Sequence, residues 1–230
     1  MRVDLEMIRH WRGRYRGDVN SGVVILFVLA GVSAIIDWWS VATGRRSVEV
    51  VAKPATLLLL IATALVIDPA TPSVRVWFVM GLVLSLAGDV FLLLDARLFV
   101  AGLASFLAAH IAYIVGLLVS GTDTTAVVIG VILVVLAIGV TGRRIHGAAA
   151  KTDPRLAIPV AAYIVVISAM LVAAIGTVNI VAVAGAALFY LSDTILGWNR
   201  FVSPIPNGRL LTMMSYHAAQ ALLVLALLSL

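Results

Sequence analysis

Two aspartates lie inside apolar stretches that are long enough to cross a bilayer. Asp89 stands in "LSLAGDVFLLLD" (residues 84–95), and Asp193 stands in "LFYLSDTILGW" (residues 188–198). A charged residue at mid-bilayer costs about 2.5–3.5 kcal/mol on insertion scales, so such residues mark a functional site or a paired contact in the protein interior. We therefore interpret both carboxylates as candidates for acid–base chemistry.

Three apolar stretches each carry two polar side chains that are three residues apart. These pairs are His110 with Tyr113, Tyr190 with Asp193, and His217 with Gln220. Residues three apart share one face of a helix, which predicts three helices converging on one polar pocket. The predicted catalytic residues are Asp89, Asp193 and His110. The predicted substrate-binding residues are Lys53, Tyr113, Tyr190, Ser192, Tyr216, His217 and Gln220.

Several of these side chains also have an interpretation without chemistry. His110 or His217 could be a hydrogen-bonded core histidine. Tyr113 and Tyr190 could serve packing, and Ser192 could bond to the backbone of its own helix. These alternatives stay open from the sequence alone.

Lys53 and Asp37 lie near predicted helix ends. Lys53 precedes Pro54, which is typical of a helix start beside a snorkelling lysine; the alternative is a ligand for a phosphate group. Asp37 precedes Trp38 and Trp39. Because tryptophans concentrate at the membrane–water interface, the sequence predicts an interfacial role for Asp37.

The composition is that of an integral membrane protein. Of the 230 residues, 63% are hydrophobic and 12% are charged, against about 45–50% and about 25% in soluble domains. A spanning helix needs about 20 mainly apolar residues, and runs of this length favour helices over strands. We predict an all-α polytopic membrane protein with eight transmembrane helices. The predicted spans are 21–41, 52–68, 74–94, 98–119, 124–141, 156–176, 178–198 and 209–230.

The predicted organisation is a basic segment at 1–20, which could lie on the membrane surface, followed by an eight-helix catalytic domain at 21–230. Asp89 and Asp193 each lie about five residues before the end of the third helix of a four-helix half. His110 and His217 lie in the fourth helix, which suggests two repeats. All four lie toward one side of the membrane, where the connecting loops hold ten of the 16 Lys and Arg residues. The membrane orientation stays open.

Other catalytic patterns are missing from the sequence. There is no cysteine, no G-x-S-x-G elbow, no Walker loop and no H-E-x-x-H. The net charge of +5 resides in loops and in the first 20 residues, which suits anionic lipid headgroups rather than nucleic acid. The excess of Arg over Lys suggests a bacterial cell membrane.

Four segments resemble the YhhN family of eight-span membrane proteins, whose characterised members are lysoplasmalogenases. They are "KPATLLLL" (53–60), "LAGDVFLLL" (86–94), "FVAGLASFLAAHIAYIVGL" (99–117) and "YLSDTILGWNRF" (190–201). The resemblance covers roughly residues 23–230. It implies hydrolysis of the vinyl-ether bond of lysoplasmalogens to a fatty aldehyde and glycerophosphoethanolamine or glycerophosphocholine. It also implies that Asp89 and Asp193 are the catalytic pair, and that Lys53 and His110 are further motif positions.

The chemistry of vinyl ethers explains why two carboxyl groups would suffice. Vinyl ethers are labile to acid: a proton adds to carbon, water attacks the oxocarbenium ion, and the hemiacetal collapses. One aspartate would be the acid and the other the base or stabiliser, as in glycosidases, and no metal or cofactor is needed. Lys53, with Arg97 or Arg200, would hold the phosphate of a lysophospholipid substrate taken from membrane lipid.

The main alternative is a proton-coupled transporter, because intramembrane Asp and His residues also form proton relays. The placement of the polar groups on one side argues against it, since alternating access favours a site at the midplane with polar paths to both faces. A scaffold or lipid-binding protein would leave both aspartates without a role.

Overall fold

The computed structural model describes residues 21–230, and within that range the chain forms eight long helices and no strands. The helices are α1 (Ser21–Ala42), α2 (Arg46–Val66), α3 (Pro72–Leu94), α4 (Phe99–Val119), α5 (Thr124–Thr152), α6 (Ala157–Gly176), α7 (Ile180–Phe201) and α8 (Gly208–Ala226). The all-α prediction is confirmed. The predicted interfacial segment 1–20 lies outside the described residues.

Seven of these helices are long and apolar enough to cross a membrane. The remaining one, α8, has 19 residues, and its polar side chains Tyr216, His217 and Gln220 are buried inside the bundle. The chain is an integral multi-pass membrane protein, as predicted.

The helix boundaries follow from local chemistry where caps are present. Pro72 occupies the first turn of α3, where its missing N–H is tolerated. Asp123 accepts a hydrogen bond from the backbone of Ala126 at the start of α5. The tight join before α7 places Val178 at a φ of 55°, and Asn179 then caps two backbone N–H groups of α7.

Two predicted boundaries are wrong. Helix α2 starts at Arg46 rather than at residue 52, so Pro54 lies inside the helix and Lys53 is buried instead of serving as a membrane-edge anchor. In the added turns, the buried Glu49 is paired with Arg46 and Arg209, which compensates its charge.

Helix α5 is longer than predicted. The segment 138–142 is a π-helical turn, and the following stretch, predicted as a linker, continues as Arg143–Thr152. That extension is amphipathic: Ile145 and Ala149 pack with Val160 of α6, while Arg143 and Arg144 are exposed. The helix ends only before Pro154, which begins a short 3-10 turn.

Consecutive helices pack as hairpins, most extensively α1 with α2, α3 with α4, and α7 with α8; α4 also packs on α6. Glycines permit the close approach of α3 and α4, because a Cβ at Gly81 or Gly88 would lie 2.7 Å from the ring of Tyr113 or Phe106. Small residues at such contacts are typical of membrane helices. This packing fixes the depth of the helices that carry the polar residues and their rotation about the helix axis.

Candidate active site

Asp89 lies in a sealed ion pair between α2, α3 and α8. The Lys53 ammonium is 2.8 Å from Asp89 Oδ1, and the Tyr216 hydroxyl donates a 2.8 Å hydrogen bond to Asp89 Oδ2. The side chains of Lys53 and Asp89 are only 5% and 1% exposed. The buried carboxylate is therefore compensated by a cation and a hydrogen-bond donor, which is the condition for holding a charge in low dielectric.

Asp193 lies in a different cluster, formed by α4, α6 and α7. The Tyr163 hydroxyl donates a 2.7 Å hydrogen bond to Asp193 Oδ2, and His110 Nε2 is 3.5 Å from the same oxygen. The side chain of Asp193 is 11% exposed and lines a cavity. Asp193 is thus the more accessible of the two carboxyl groups, and within residues 21–230 no Lys or Arg forms an ion pair with it.

The two clusters are neighbours but do not merge. Within the described residues, no hydrogen bond links Asp89 to Asp193, and their hydrogen-bond partners, Tyr216 and Tyr163, are different. The ring of Phe189 packs between their partners, 5.4 Å from the ring of Tyr216 and 4.6 Å from that of His110. The predicted single polar pocket is therefore divided by an aromatic side chain.

Tyr113 and Gln220 bind each other. The Tyr113 hydroxyl donates a 2.6 Å hydrogen bond to Gln220 Oε1 across the contact of α4 and α8, and both side chains are fully buried. They line none of the cavities described below. Their geometry favours the packing interpretation over substrate binding.

His217 faces α1, away from both aspartate clusters. Its Nδ1 accepts a 3.0 Å hydrogen bond from Trp38 Nε1. His217 borders a separate apolar cavity between α1, α2 and α8. It therefore does not share a pocket with His110, although the two histidines occupy corresponding positions in the predicted repeats.

The predicted interfacial role of Asp37 is wrong. Its side chain is completely buried, with Oδ2 4.0 Å from His217 Nδ1, and neither oxygen has a hydrogen-bond partner among the described residues. Asp37 lies about five residues before the end of α1, as Asp89 does before the end of α3, so their positions along the sequence predict a similar depth for both. The adjacent tryptophans obscured that signal.

The remaining predicted residues on α7 have different surroundings. Tyr190 lines the same cavity as Asp193. Ser192 is buried and donates a 3.1 Å hydrogen bond to the Thr212 carbonyl of α8. Ser192 therefore holds α7 against α8 and does not open onto a cavity.

Two cavities adjoin each other near the end of α7, and Asp193 lines one of them. An apolar cavity runs between α4, α5, α6 and α7, with Tyr163 and Asp193 in its wall. A polar cavity of about 410 Å³ lies at the membrane end where α2, α4 and α8 begin. The residues shared by the two cavities are Phe99, Leu196 and Arg200. An elongated amphiphile could therefore place one end in each.

The polar cavity has an excess of positive charge. Its charged lining residues are Arg46, Glu49, Lys53, Arg200 and Arg209. Arg209 binds both oxygens of Glu49, at 2.5 and 2.6 Å, and the buried Glu49 carboxylate is also 3.7 Å from Arg46. Of the two arginines predicted to assist Lys53, Arg200 lines this cavity and Arg97 does not. An anionic group such as a phosphate suits this charge balance.

Sequence reasoning missed Tyr163, Glu49 and Arg209. Tyr163 lies in a uniformly apolar span with no charged neighbour, so no local pattern distinguishes it from a packing residue. The predicted spans leave Glu49 in a loop and place Arg209 at the start of a helix. Only the packing of α2 against α8 brings the two side chains together. Within residues 21–230, no three His, Cys, Asp or Glu side chains cluster so as to hold a metal ion.

Comparison with known proteins decides the family. The model of the YhhN family matches residues 48–227, which is most of the chain. The chain belongs to the YhhN family. The resemblance inferred from the four sequence segments is thereby confirmed, and the match includes Lys53, Asp89, Asp193 and the whole of α8. No solved structure matches this YhhN protein.

Curated relatives carry the name lysoplasmalogenase TMEM86B. The human protein is 35% identical over 149 residues, covering 64% of this chain and 61% of the human protein. The rat protein is 42% identical over 74 residues, covering 32% and 31%. The pig protein is 52% identical over 42 residues, covering 18% and 19%. The chain thus spans about three fifths of its human relative's length.

Proposed function

We propose that this YhhN protein is a lysoplasmalogenase, a membrane hydrolase that cleaves the vinyl-ether bond of lysoplasmenyl phospholipids. The observation that carries the proposal is a carboxyl group, Asp193, that is 11% exposed in the wall of an apolar cavity, and this cavity shares Phe99, Leu196 and Arg200 with a cationic cavity. The names of the human, rat and pig relatives support the same activity.

The substrate would lie across the two cavities. Its alkenyl chain would occupy the apolar cavity, and its phosphate would occupy the polar cavity near Arg200 and Arg46. The vinyl-ether bond joins chain and glycerol, so it would lie at the junction beside Phe99 and Arg200, within reach of Asp193. Holding the vinyl-ether bond next to the carboxyl group would raise the rate, because the reacting groups would already be in the right geometry.

Asp193 is the proton donor in this proposal. A carboxyl group that faces an apolar cavity without a cation beside it can be held as the neutral acid, whereas Asp89 is paired with Lys53. Asp193 delivers its proton to the alkenyl carbon next to the carbon that bears oxygen, which leaves an oxocarbenium ion. Tyr163 stabilises the carboxylate that forms, because its hydroxyl already donates to Asp193.

The second half of the reaction returns the proton. Water attacks the oxocarbenium carbon, and the Asp193 carboxylate takes one proton from that water. The resulting hemiacetal collapses to a fatty aldehyde and the free hydroxyl of the glycerophospholipid. Acid and base are thus the same group at different stages, as in retaining glycosidases.

Asp89 would contribute by positioning Lys53. Its side chain is 1% exposed, so it does not touch the substrate. Its charge is compensated by the Lys53 ammonium 2.8 Å away, and this ion pair holds Lys53 in the wall of the polar cavity. Asp89 is a positioning residue in this scheme, and Lys53 contacts the headgroup.

The test is aldehyde release from lysoplasmenylethanolamine by the purified protein in detergent. Asp193→Asn should lower the rate by at least about 10²-fold, the usual contribution of general acid catalysis. Asp68→Asn is the matched control, since Asp68 is an exposed carboxylate at the other end of the bundle. Full activity of Asp193→Asn would refute the assignment.

The transporter alternative makes a different prediction for the same sample. A folded wild-type protein that releases no aldehyde, but carries protons across liposome membranes, would favour the carrier. Aldehyde release without proton flux would exclude it.

A further inference from the structure

A third cavity, which we call the α1 cavity, lies between α1, α2 and α8. Its volume is about 190 Å³, and its wall is almost entirely apolar, with Phe27, Ala34 and Leu60 among the lining residues. It shares no lining residue with the two cavities beside Asp193. Ile35, also in its wall, is 59% exposed on the outer surface of the bundle, so the cavity adjoins the lipid phase.

One polar group in the wall of the α1 cavity lacks a partner. The indole N–H of Trp38 can only donate, so its hydrogen bond to His217 Nδ1 leaves that nitrogen as an acceptor. The proton of the neutral imidazole is then on Nε2. His217 is 2% exposed, and its Nε2 has no hydrogen-bond partner among the described residues. A buried donor without an acceptor is unfavourable, and a ligand oxygen would relieve it.

We propose that the α1 cavity binds a long-chain aldehyde, with its alkyl chain along α1 and its carbonyl oxygen accepting a hydrogen bond from His217 Nε2. The choice of aldehyde rests on the proposed function, which releases such a product. The chemistry of the wall supports it. Trp38 and Thr56 already donate their hydrogen bonds within the protein, so one unpaired donor, His217 Nε2, matches a single carbonyl oxygen. The residues that line the cavity include no Lys or Arg that could hold a phosphate.

The cavity depends on a helix outside the region matched by the family model. That match begins at residue 48, whereas Trp38 and most of the apolar wall belong to α1. The proposed donor, His217, lies inside the matched region, so the site combines a family segment with α1.

The test uses photolabelling of the whole protein in lipid nanodiscs. The probe is a long-chain methyl ketone with a diazirine beside its carbonyl group, and labelled peptides are located by mass spectrometry. We expect labels on α1 and α8. A saturated fatty aldehyde should compete about fivefold better than an alkane of equal length, because only the aldehyde accepts the hydrogen bond.

Two variants sharpen the test. His217→Phe should remove the advantage of the aldehyde over the alkane. Gly31→Leu should reduce labelling of α1, because Gly31 lines the cavity and a Cβ there meets no atom within 4 Å. Gly147→Leu is the matched control, since a Cβ at Gly147 also meets nothing within 4 Å and this residue lines none of the three cavities.

The outcomes separate this proposal from the proposed function, because binding is measured without turnover. Equal competition by alkane and aldehyde, or labels confined to the peptides around Asp193, would overturn the α1 site even in an active hydrolase. Labelling of α1 and α8 that follows the expected competition would support the site even if the protein released no aldehyde.

Discussion

The Lys53 ammonium and the Asp89 carboxylate form a 2.8 Å ion pair between α2 and α3, deep enough that neither side chain is more than 5% exposed. Each charge stabilises the other, because either one alone would be buried without a compensating charge. Tyr216 adds a hydrogen bond from α8. One pair of charges thus joins three helices and fixes the side of the polar cavity that Lys53 lines.

Removal of the cation alone should destabilise the protein strongly. Lys53→Met leaves Asp89 buried without its counter-ion, and breaking a buried pair in this way costs about 3–5 kcal/mol. The double variant Lys53→Met/Asp89→Asn should recover much of that loss. Thermal unfolding in detergent measures both. A double variant no more stable than Lys53→Met would show that the charges are not coupled.

Loss of the tyrosine hydroxyl beside Asp193 should lower activity more than stability. Tyr163→Phe removes the hydrogen bond to the carboxylate that forms when Asp193 gives up its proton. A hydrogen bond to a charged group contributes about 1.5–3 kcal/mol, so aldehyde release should fall by about tenfold or more. The rate per folded molecule is the measurement, and an unchanged rate would contradict the role of Tyr163.

Tyr113→Phe should instead lower the stability of the protein more than its activity. It leaves the carbonyl oxygen of Gln220 buried without its donor, which should lower stability by about 1–3 kcal/mol. The rate of aldehyde release per folded molecule should stay near that of the wild type, because Tyr113 lines no cavity. A large loss of activity with normal stability would support the predicted role of Tyr113 in substrate binding.

Substitution of a glycine next to Asp89 should disrupt the contact of α3 and α4. In Gly88→Ala the new Cβ would lie 2.7 Å from the ring of Phe106, which must then move. We expect a lower melting temperature. Gly31→Ala is the control, because a Cβ there meets open space and alanine favours the helix. Equal melting temperatures of the two variants would contradict the close packing.

The cationic cavity should act mainly on substrate binding. Arg200→Gln removes a charge that lines both cavities, so we expect a higher KM for lysoplasmenylethanolamine and a smaller change in kcat. Arg45→Gln removes a charge at the same end of the bundle, where Arg45 stacks on Trp39 and lines none of the three cavities. An equal rise in KM in both variants would indicate a general surface effect.

The repeat predicted from the sequence stays a prediction, but the contacts follow its pattern. Asp89 of α3 bonds to Tyr216 of α8, and Asp193 of α7 lies beside His110 of α4. Each aspartate therefore meets the fourth helix of the opposite half. Such exchange of partners is the arrangement that two related halves would adopt around a shared centre.

The sequence by itself determined the all-helical membrane fold, the family, and the placement of Asp89 and Asp193 inside apolar helices rather than in loops. These follow from run lengths, motif residues and a rise of about 1.5 Å per residue. Only the tertiary structure decided which polar residues meet. In uniformly apolar helices no periodic pattern sets the rotation about the helix axis, so the partner of Lys53, the burial of Asp37 and the accessibility of Asp193 depend on how the eight helices pack together.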